Sequence, residues 1–129
     1  MILAYYEGAY GPTIRLDTQA LEELRAVRRL FGSLAAGEAV DDDLCAALDC
    51  RADAIHSLTV RSAPEPAAKA LELRGRGWQG PMFSWTNAPG EWLECAEKVD
   101  ALISSGSPGH QYLTDEGLDD ALVELCYRE

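Results

Sequence analysis

The sequence predicts an α+β fold in which a largely antiparallel β-sheet is covered by two main α-helices. Two segments, beginning near Ala20 and near Trp92, place apolar residues at the helical spacing of three and four. Short β-prone segments separated by glycine and proline surround them, and short turns favour antiparallel pairing because parallel strands need long crossovers. The expected order of elements is β-β-α-(β)-β-β-β-α-β-β.

The first third of the chain predicts a β-hairpin followed by a helix. Met1–Glu7 and Thr13–Asp17 are β-prone, and the residues between them contain the glycines and proline of a turn. Asp17 or Thr18 can cap the helix that follows. The apolar stripe of that helix consists of Ala20, Leu24, Val27, Phe31 and Leu34.

The middle of the chain predicts further strands. Asp41–Asp43 belongs to a loop or caps the short segment Leu44–Leu48, whose length does not distinguish a strand from a helix. Ile55–Arg61 alternates as a strand does, and this alternation predicts that His56 is buried and hydrogen-bonded. Lys69–Arg74 is the next predicted strand.

The second half predicts strand, helix, strand and strand. Met82–Thr86 is β-prone, and the helix after it carries Trp92, Ala96, Val99 and Ile103 on one face. Glycine and proline near residue 108 end this helix. The remaining residues predict a hairpin of His110–Thr114 and Ala121–Arg128 around the polar turn Asp115–Asp120.

The length and composition predict one cytoplasmic domain. A chain of 129 residues that is 47% hydrophobic can bury a core, and we find no internal repeat, low-complexity segment or linker in it. No apolar stretch approaches the ~18 residues that span a bilayer, and the N-terminus has no basic leader. The cysteines lack the spacing of a disulfide framework and are expected to be reduced thiols: Cys45, Cys50, Cys95 and Cys126.

The charge of the chain is strongly acidic, particularly in its second half. The formal net charge is −11, and from Met82 to Glu129 ten residues are acidic while two are basic. Nucleic acids and anionic membranes are polyanions, so this charge disfavours both as direct partners. A basic protein is the complementary partner, and the alternative is a charge that only maintains solubility.

The sequence predicts no cofactor and no metal site. Residues 75–80 match G-x-G-x-x-G, but Pro81 and a second strand follow where a dinucleotide site needs a helix, so a glycine-rich hairpin loop is expected. Cys45, Cys50 and His56 lack a second pair of ligands for zinc. The aspartate clusters lack the alternating ligands of a calcium loop.

The leading functional prediction is a non-enzymatic protein that binds a basic partner. The residues expected to bind it are the acids of the last turn with two aromatic anchors: Asp115, Glu116, Asp119, Asp120, Trp78 and Tyr112. One alternative is a small enzyme or ligand-binding domain with a pocket at His110 and Cys126, which lie on neighbouring predicted strands. A structural homo-oligomer is the third alternative.

Several segments of the last 47 residues resemble parts of small acidic bacterial proteins of the toxin-immunity type. The segments are Phe83–Ser84–Trp85, Glu91–Trp92, Gly109–His110–Gln111–Tyr112–Leu113 and Val123–Glu124–Leu125–Cys126–Tyr127–Arg128–Glu129. The resemblance implies that the protein inhibits a toxin, such as a nuclease, by surface complementarity. It implies no catalytic residue.

Overall fold

The computed structural model describes residues 1–39, 41–114 and 119–129, and its mixture of helices and strands confirms the α+β class. In these ranges the strands are β1 (Ile2–Gly8), β2 (Gly11–Thr18), β3 (Asp41–Asp43), β4 (Arg51–Asp53), β5 (Ser57–Ser62), β6 (Leu71–Gly77), β7 (Gly80–Asn87), β8 (Gly109–Tyr112) and β9 (Leu122–Tyr127). The helices are α1 (Leu21–Ala36), α2 (Leu44–Leu48) and α3 (Pro89–Ser105). No helix of these ranges is long and apolar enough to cross a membrane.

The described strands form two sheets rather than one. A five-stranded sheet has the order β4-β1-β2-β9-β8, and a four-stranded sheet has the order β3-β5-β7-β6. The antiparallel pairs are β1–β2, β3–β5, β6–β7 and β8–β9. The hairpins β1–β2 and β6–β7 have the short turns that favour this pairing. The contacts β1–β4, β2–β9 and β5–β7 are parallel, and they join strands that are distant in the sequence.

The two halves of the chain repeat one ββαββ arrangement, which shows that the prediction of no internal repeat was wrong. The first half supplies β1, β2, α1, β3 and β5, and the second half supplies β6, β7, α3, β8 and β9. In each half a β-hairpin precedes the long helix. The last strand of each half pairs with a hairpin strand of the other half: β5 pairs with β7, and β9 pairs with β2. The halves are therefore interleaved.

The hairpins of the two halves match in detail. Gly8 pairs with Gly11 at the end of the first hairpin, and Gly77 pairs with Gly80 at the end of the second, 69 residues later in each case. Gly11 and Gly80 have positive φ angles of 103° and 137°, a conformation that favours glycine. A bulge after Leu73 is the local difference between the two hairpins.

The two long helices also begin in the same way. The Glu23 carboxylate accepts a hydrogen bond from the backbone N–H of Ala20 at 3.0 Å, and Glu91 accepts one from Ala88 at 2.9 Å. In both helices the glutamate at the third position satisfies the first free N–H group, while the alanine side chain at the N-cap cannot. Both residues predicted to cap α1 belong instead to β2: Asp17 and Thr18.

The inner faces of both sheets share one core with the apolar faces of α1 and α3. At its centre Phe31 of α1, Trp85 of β7 and Trp92 of α3 are in mutual contact, with ring centroids 4.8–5.6 Å apart. All three rings are buried, so the predicted core role of Trp92 is confirmed. This cluster packs the four-stranded sheet against the helix pair, and the same core continues to inner residues of the five-stranded sheet such as Leu16 and Leu125.

In the segment between β3 and β5, the structure decides a prediction that the sequence left open and corrects another. Leu44–Leu48 is helical, and the Asp43 carboxylate caps it by accepting a hydrogen bond from Ala46 N at 3.0 Å. His56 precedes β5, is half-buried, and its Nδ1 has no hydrogen-bond partner among the described residues. Its ring packs on Gly77 at the turn of the second hairpin, where a side chain would collide with it.

Candidate functional site

The outer face of the five-stranded sheet carries an unusual set of polar and aromatic side chains. Successive residues of a strand point to opposite faces, and the inner positions of these strands are filled by core residues such as Leu16 and Leu125. The register places Arg15, Glu124 and Tyr112 in one row across the sheet, and Asp17, Cys126 and His110 in the next. We call the following set the outer face: Tyr6, Arg15, Asp17, His110, Tyr112, Glu124 and Cys126.

A carboxylate is buried at the centre of the outer face. Glu124 is only 7% exposed, and both of its oxygens accept hydrogen bonds. The Tyr6 hydroxyl donates to Oε2 at 3.1 Å, and the Cys126 thiol donates to Oε1 at 3.3 Å. Burial, followed by the charge of Glu124, raises the pKa of Tyr6, so this phenol retains the proton that it donates.

His110 and Cys126 face each other on neighbouring strands, as the alternative pocket requires. Burial, followed by the hydrogen bond to Glu124, raises the pKa of the Cys126 thiol. Among the described residues no hydrogen bond joins the His110 ring to this thiol: the thiol donates to Glu124 Oε1, and His110 Nδ1 is bonded to the Glu129 carboxylate at 2.8 Å. The pair is therefore brought together, but its chemistry is that of a protonated thiol beside a carboxylate rather than of an activated nucleophile.

Tyrosine side chains surround the buried carboxylate. Tyr112 is 38% exposed, and its ring meets the edge of His110 at a centroid distance of 5.5 Å. Desolvation raises the pKa of Tyr112, followed by the charges of Glu124 and Tyr10. Tyr10, at the tip of the β1–β2 hairpin, is 64% exposed, and Tyr6 is 38% exposed. The outer face thus presents aromatic rings around a negative centre.

Three side chains at one corner of the outer face have the chemistry of metal ligands. His110, Glu124 and Glu129 each offer one nitrogen or oxygen atom, and these atoms lie within 4.8 Å of one another. An imidazole with two carboxylates suits divalent ions such as Zn²⁺. A cation that used Nδ1 would first have to displace the Glu129 carboxylate, which bonds that nitrogen at 2.8 and 3.1 Å.

The acids of the last turn that the structure describes stabilise a strand edge. The Asp119 carboxylate accepts a hydrogen bond from Leu71 N at 3.0 Å, and Asp120 accepts one from Leu73 N at 2.8 Å. Lys69 Nζ forms an ion pair with Asp120 at 2.8 Å. Two further predicted binding residues lie outside the described residues: Asp115 and Glu116. Since Leu71 and Leu73 belong to the edge strand β6, these carboxylates occupy donors that would otherwise be open to another strand.

The two predicted aromatic anchors lie on different sheets. Trp78 is 87% exposed at the tip of the β6–β7 hairpin, with its ring edge towards His56 at 6.4 Å. The same hairpin carries the exposed Arg74 and Arg76, so the surroundings of Trp78 include basic side chains. Tyr112 belongs to the outer face of the five-stranded sheet.

A small cavity lies beside α3 and next to Asp119. Its lining includes Glu91, Glu94, Cys95 and Lys98, and its volume is about 90 Å³. This is room for about three water molecules and less than a third of the volume that a typical organic ligand needs. Cys95 is buried in the core, and this burial raises the pKa of its thiol to about 12.

Sequence reasoning missed four members of the outer face, and it also missed two residues beside that face. The four members are Tyr6, Arg15, Asp17 and Glu124, and the two residues beside it are Tyr10 and Glu129. The signal for Glu124 was present, because it is the charged residue within the otherwise apolar strand Leu122–Tyr127. Comparison with known proteins finds no matching family model, curated protein or solved structure. The functional proposal therefore depends on the chemistry of this face.

Proposed function

We propose that the protein binds a basic protein partner through the outer face of the five-stranded sheet and inhibits that partner, as an immunity protein does. The observation that carries this proposal is a difference between two equivalent surfaces. The ββαββ repeat gives the four-stranded sheet an outer face of the same construction, and its composition is ordinary.

The outer side of the four-stranded sheet can be compared, position by position, with the outer face of the five-stranded sheet. At the positions equivalent to Glu124 and Tyr112, it carries Thr59 and Asp43. The other side chains on that face are mostly hydroxyl or paired charged groups: Ser57, Arg61, Ser84 and Thr86. A surface that only has to remain in water is satisfied by such residues. Tyrosines around a buried carboxylate depart from this ordinary composition, and the difference favours a role in recognition.

The chemistry of the outer face suits a cationic protein surface. Tyr112 and Tyr10 offer large rings that lose little conformational entropy on binding, and tyrosine is enriched among residues that dominate binding energy. Glu124 and Glu129 supply negative charge, whereas Arg15 is already paired with Asp17 at 2.9 Å. The net charge of −11 would steer a basic partner towards the protein before docking. A nuclease would be blocked if these carboxylates occupied the sites that bind phosphate.

The test begins by retaining partners from a lysate of the native cells on the immobilised protein and identifying them by mass spectrometry. Each retained basic protein is then purified and titrated with wild type, with the Y10A/Y112A double variant and with W78A. We expect the double variant to bind about 30-fold more weakly, equivalent to about 2 kcal/mol. W78A removes an exposed aromatic side chain from the other sheet and should change the affinity less than about twofold.

Three results would contradict the proposal. Equal affinities of wild type and Y10A/Y112A would exclude the outer face as the binding surface. A loss confined to W78A would move binding to the tip of the β6–β7 hairpin. An affinity that does not fall as salt rises from about 50 to 500 mM would exclude the electrostatic recognition of a basic partner.

A further inference from the structure

Two cysteines lie in the segment where the two halves of the chain differ most. Residues 44–56 connect β3 to β5 in the first half, whereas the shorter segment 113–121 connects β8 to β9 in the second. The longer connection contains α2 and β4. Cys45 lies in the first turn of α2, and Cys50 lies two residues beyond its last residue, Leu48. The remaining cysteines, Cys95 and Cys126, are buried elsewhere.

The end of α2 brings the two thiols together. Asp49 ends the helix in the left-handed conformation, with φ of 53° and ψ of 46°, and Cys50 N donates a hydrogen bond to Cys45 O at 3.1 Å. The turn places Cys50 Sγ 3.1 Å from Cys45 Sγ. Since a disulfide has an S–S length of about 2.05 Å, the sulfurs need to approach by only about 1 Å. Both thiols are partly exposed and therefore accessible to a small oxidant.

We propose that Cys45 and Cys50 form a reversible disulfide within the folded protein, which makes this turn a site of redox modification. The oxidant is a small disulfide such as oxidised glutathione. The Cys45 thiolate attacks one glutathione sulfur, forms a mixed disulfide and releases one glutathione thiolate. The Cys50 thiolate then attacks Cys45 Sγ and releases the second glutathione, so that two protein thiols lose two protons and two electrons to one glutathione disulfide.

The electrostatics of the pair determine the order of these steps. The hydrogen bond from Cys50 lowers the pKa of Cys45, which makes Cys45 the first nucleophile. The same interaction, followed by burial, raises the pKa of Cys50 while Cys45 is free. Once Cys45 carries a glutathionyl group, it has no charge to oppose ionisation of Cys50, and the second step can proceed.

The disulfide would tighten the attachment of β4 to the five-stranded sheet. Cys50 directly precedes β4, which pairs with Ile2–Ala4 of β1. The first bond of this contact joins Arg51 N to Met1 O at 3.1 Å. A covalent link at the adjacent residue restricts the motion that opens this bond, so the Arg51 amide should exchange with solvent several-fold more slowly in the oxidised protein.

The test incubates the full chain with oxidised glutathione, quenches with acid, alkylates the free thiols and maps the peptides. We expect two of the four thiols to be lost, an intact mass lower by two hydrogen atoms, and one linkage between Cys45 and Cys50. C50S cannot complete the second step and should accumulate one glutathione on Cys45. C95S leaves the pair intact and should form the same disulfide as wild type.

Three outcomes, all measured on the wild-type protein, would overturn the proposal or the effect that it assigns to β4. Four thiols that remain open to alkylation would show that the pair is not oxidised. A linkage involving Cys95 or Cys126, or a stable glutathione adduct on the wild-type protein, would show that the turn does not direct the chemistry. Equal exchange of the Arg51 amide in both forms would refute the effect on β4.

Discussion

A substitution of Asp120 tests whether this acidic residue stabilises the fold or is available to bind a partner protein. Its carboxylate accepts a hydrogen bond from Leu73 N at 2.8 Å and pairs with Lys69 at 2.8 Å. Replacing it in D120A removes both interactions but keeps the backbone bond from Asp120 N to Leu71 O. We therefore expect D120A to be less stable than wild type.

The size of the effect follows from the hydrogen bond. A bond to a charged acceptor contributes about 1.5–3 kcal/mol when buried. Because Asp120 is partly exposed, water weakens the interaction, and we expect D120A to lose about 1–2 kcal/mol. For a chain of this length, that lowers the melting temperature by about 3–8 °C. D120N retains an acceptor oxygen but not the charge and should lose about half as much.

The same interactions predict a dependence on pH. The hydrogen bond from Lys69, followed by that from Leu73 N, lowers the pKa of Asp120 below its ordinary value of 3.8. A carboxylate with a lowered folded pKa stabilises the protein fully above its unfolded pKa, and this contribution is lost as the pH falls through the folded pKa. The stability difference between wild type and D120A should therefore be constant from pH 7 to about 5 and shrink below about 4.

Urea unfolding followed by the fluorescence of the buried Trp85 and Trp92 measures these differences. E97A is the control, because it removes one negative charge from an exposed position of α3 that forms no ion pair with the described residues. E97A should remain within about 0.5 kcal/mol of wild type. Equal urea midpoints of D120A and wild type at pH 7 would refute the assignment of Asp120 to the edge of β6.

Two further predictions use the repeat. Gly80→Ala should destabilise the protein by about 1–3 kcal/mol more than Gly11→Ala. Both glycines have positive φ, but a Cβ at Gly80 would lie 2.6 Å from Ala54 O, whereas a Cβ at Gly11 would meet open space. Equal urea midpoints of the two variants would contradict this prediction. Fragments 1–68 and 69–129, cut in the exposed loop between β5 and β6, should fold when mixed but not alone, because each contributes strands to both sheets. Circular dichroism and analytical ultracentrifugation check the second prediction, and a folded monomer of either fragment would contradict it.

Local pattern was enough to predict the elements of this fold but not their partners. The spacing of Val27 and Phe31 identified α1, and the turn before Pro81 identified the β6–β7 hairpin, because helical period and turn chemistry are properties of adjacent residues. The parallel pairs β2–β9 and β5–β7 join strands from different halves of the chain. The periodicity of adjacent residues carries no information about such distant pairing. The segments Gly8–Pro12 and Gly77–Pro81, both G-x-x-G-P, were the visible trace of the repeat.

The candidate site could be predicted only in part for a related reason. The hairpin prediction put His110 and Cys126 on neighbouring strands, and the structure pairs the two residues directly. It could not find the contact between Tyr6 and Glu124, whose residues are 118 positions apart and meet through the parallel β2–β9 pair. Composition indicated an acidic surface, but it could not distinguish an acid that bonds a strand edge from one that faces solvent.

The two long connections of the repeat each cover the edge of a strand, but they do so with different groups. In the first half the β3–β5 connection covers the edge of β1 with β4, and Arg51 N donates to Met1 O. In the second half the β8–β9 connection reaches the edge of β6, and Asp120 N donates to Leu71 O. One edge is thus covered by a strand beside a cysteine pair, and the other by carboxylates and a lysine. Because an open edge strand invites pairing with another chain, both connections oppose such pairing at β1 and at β6.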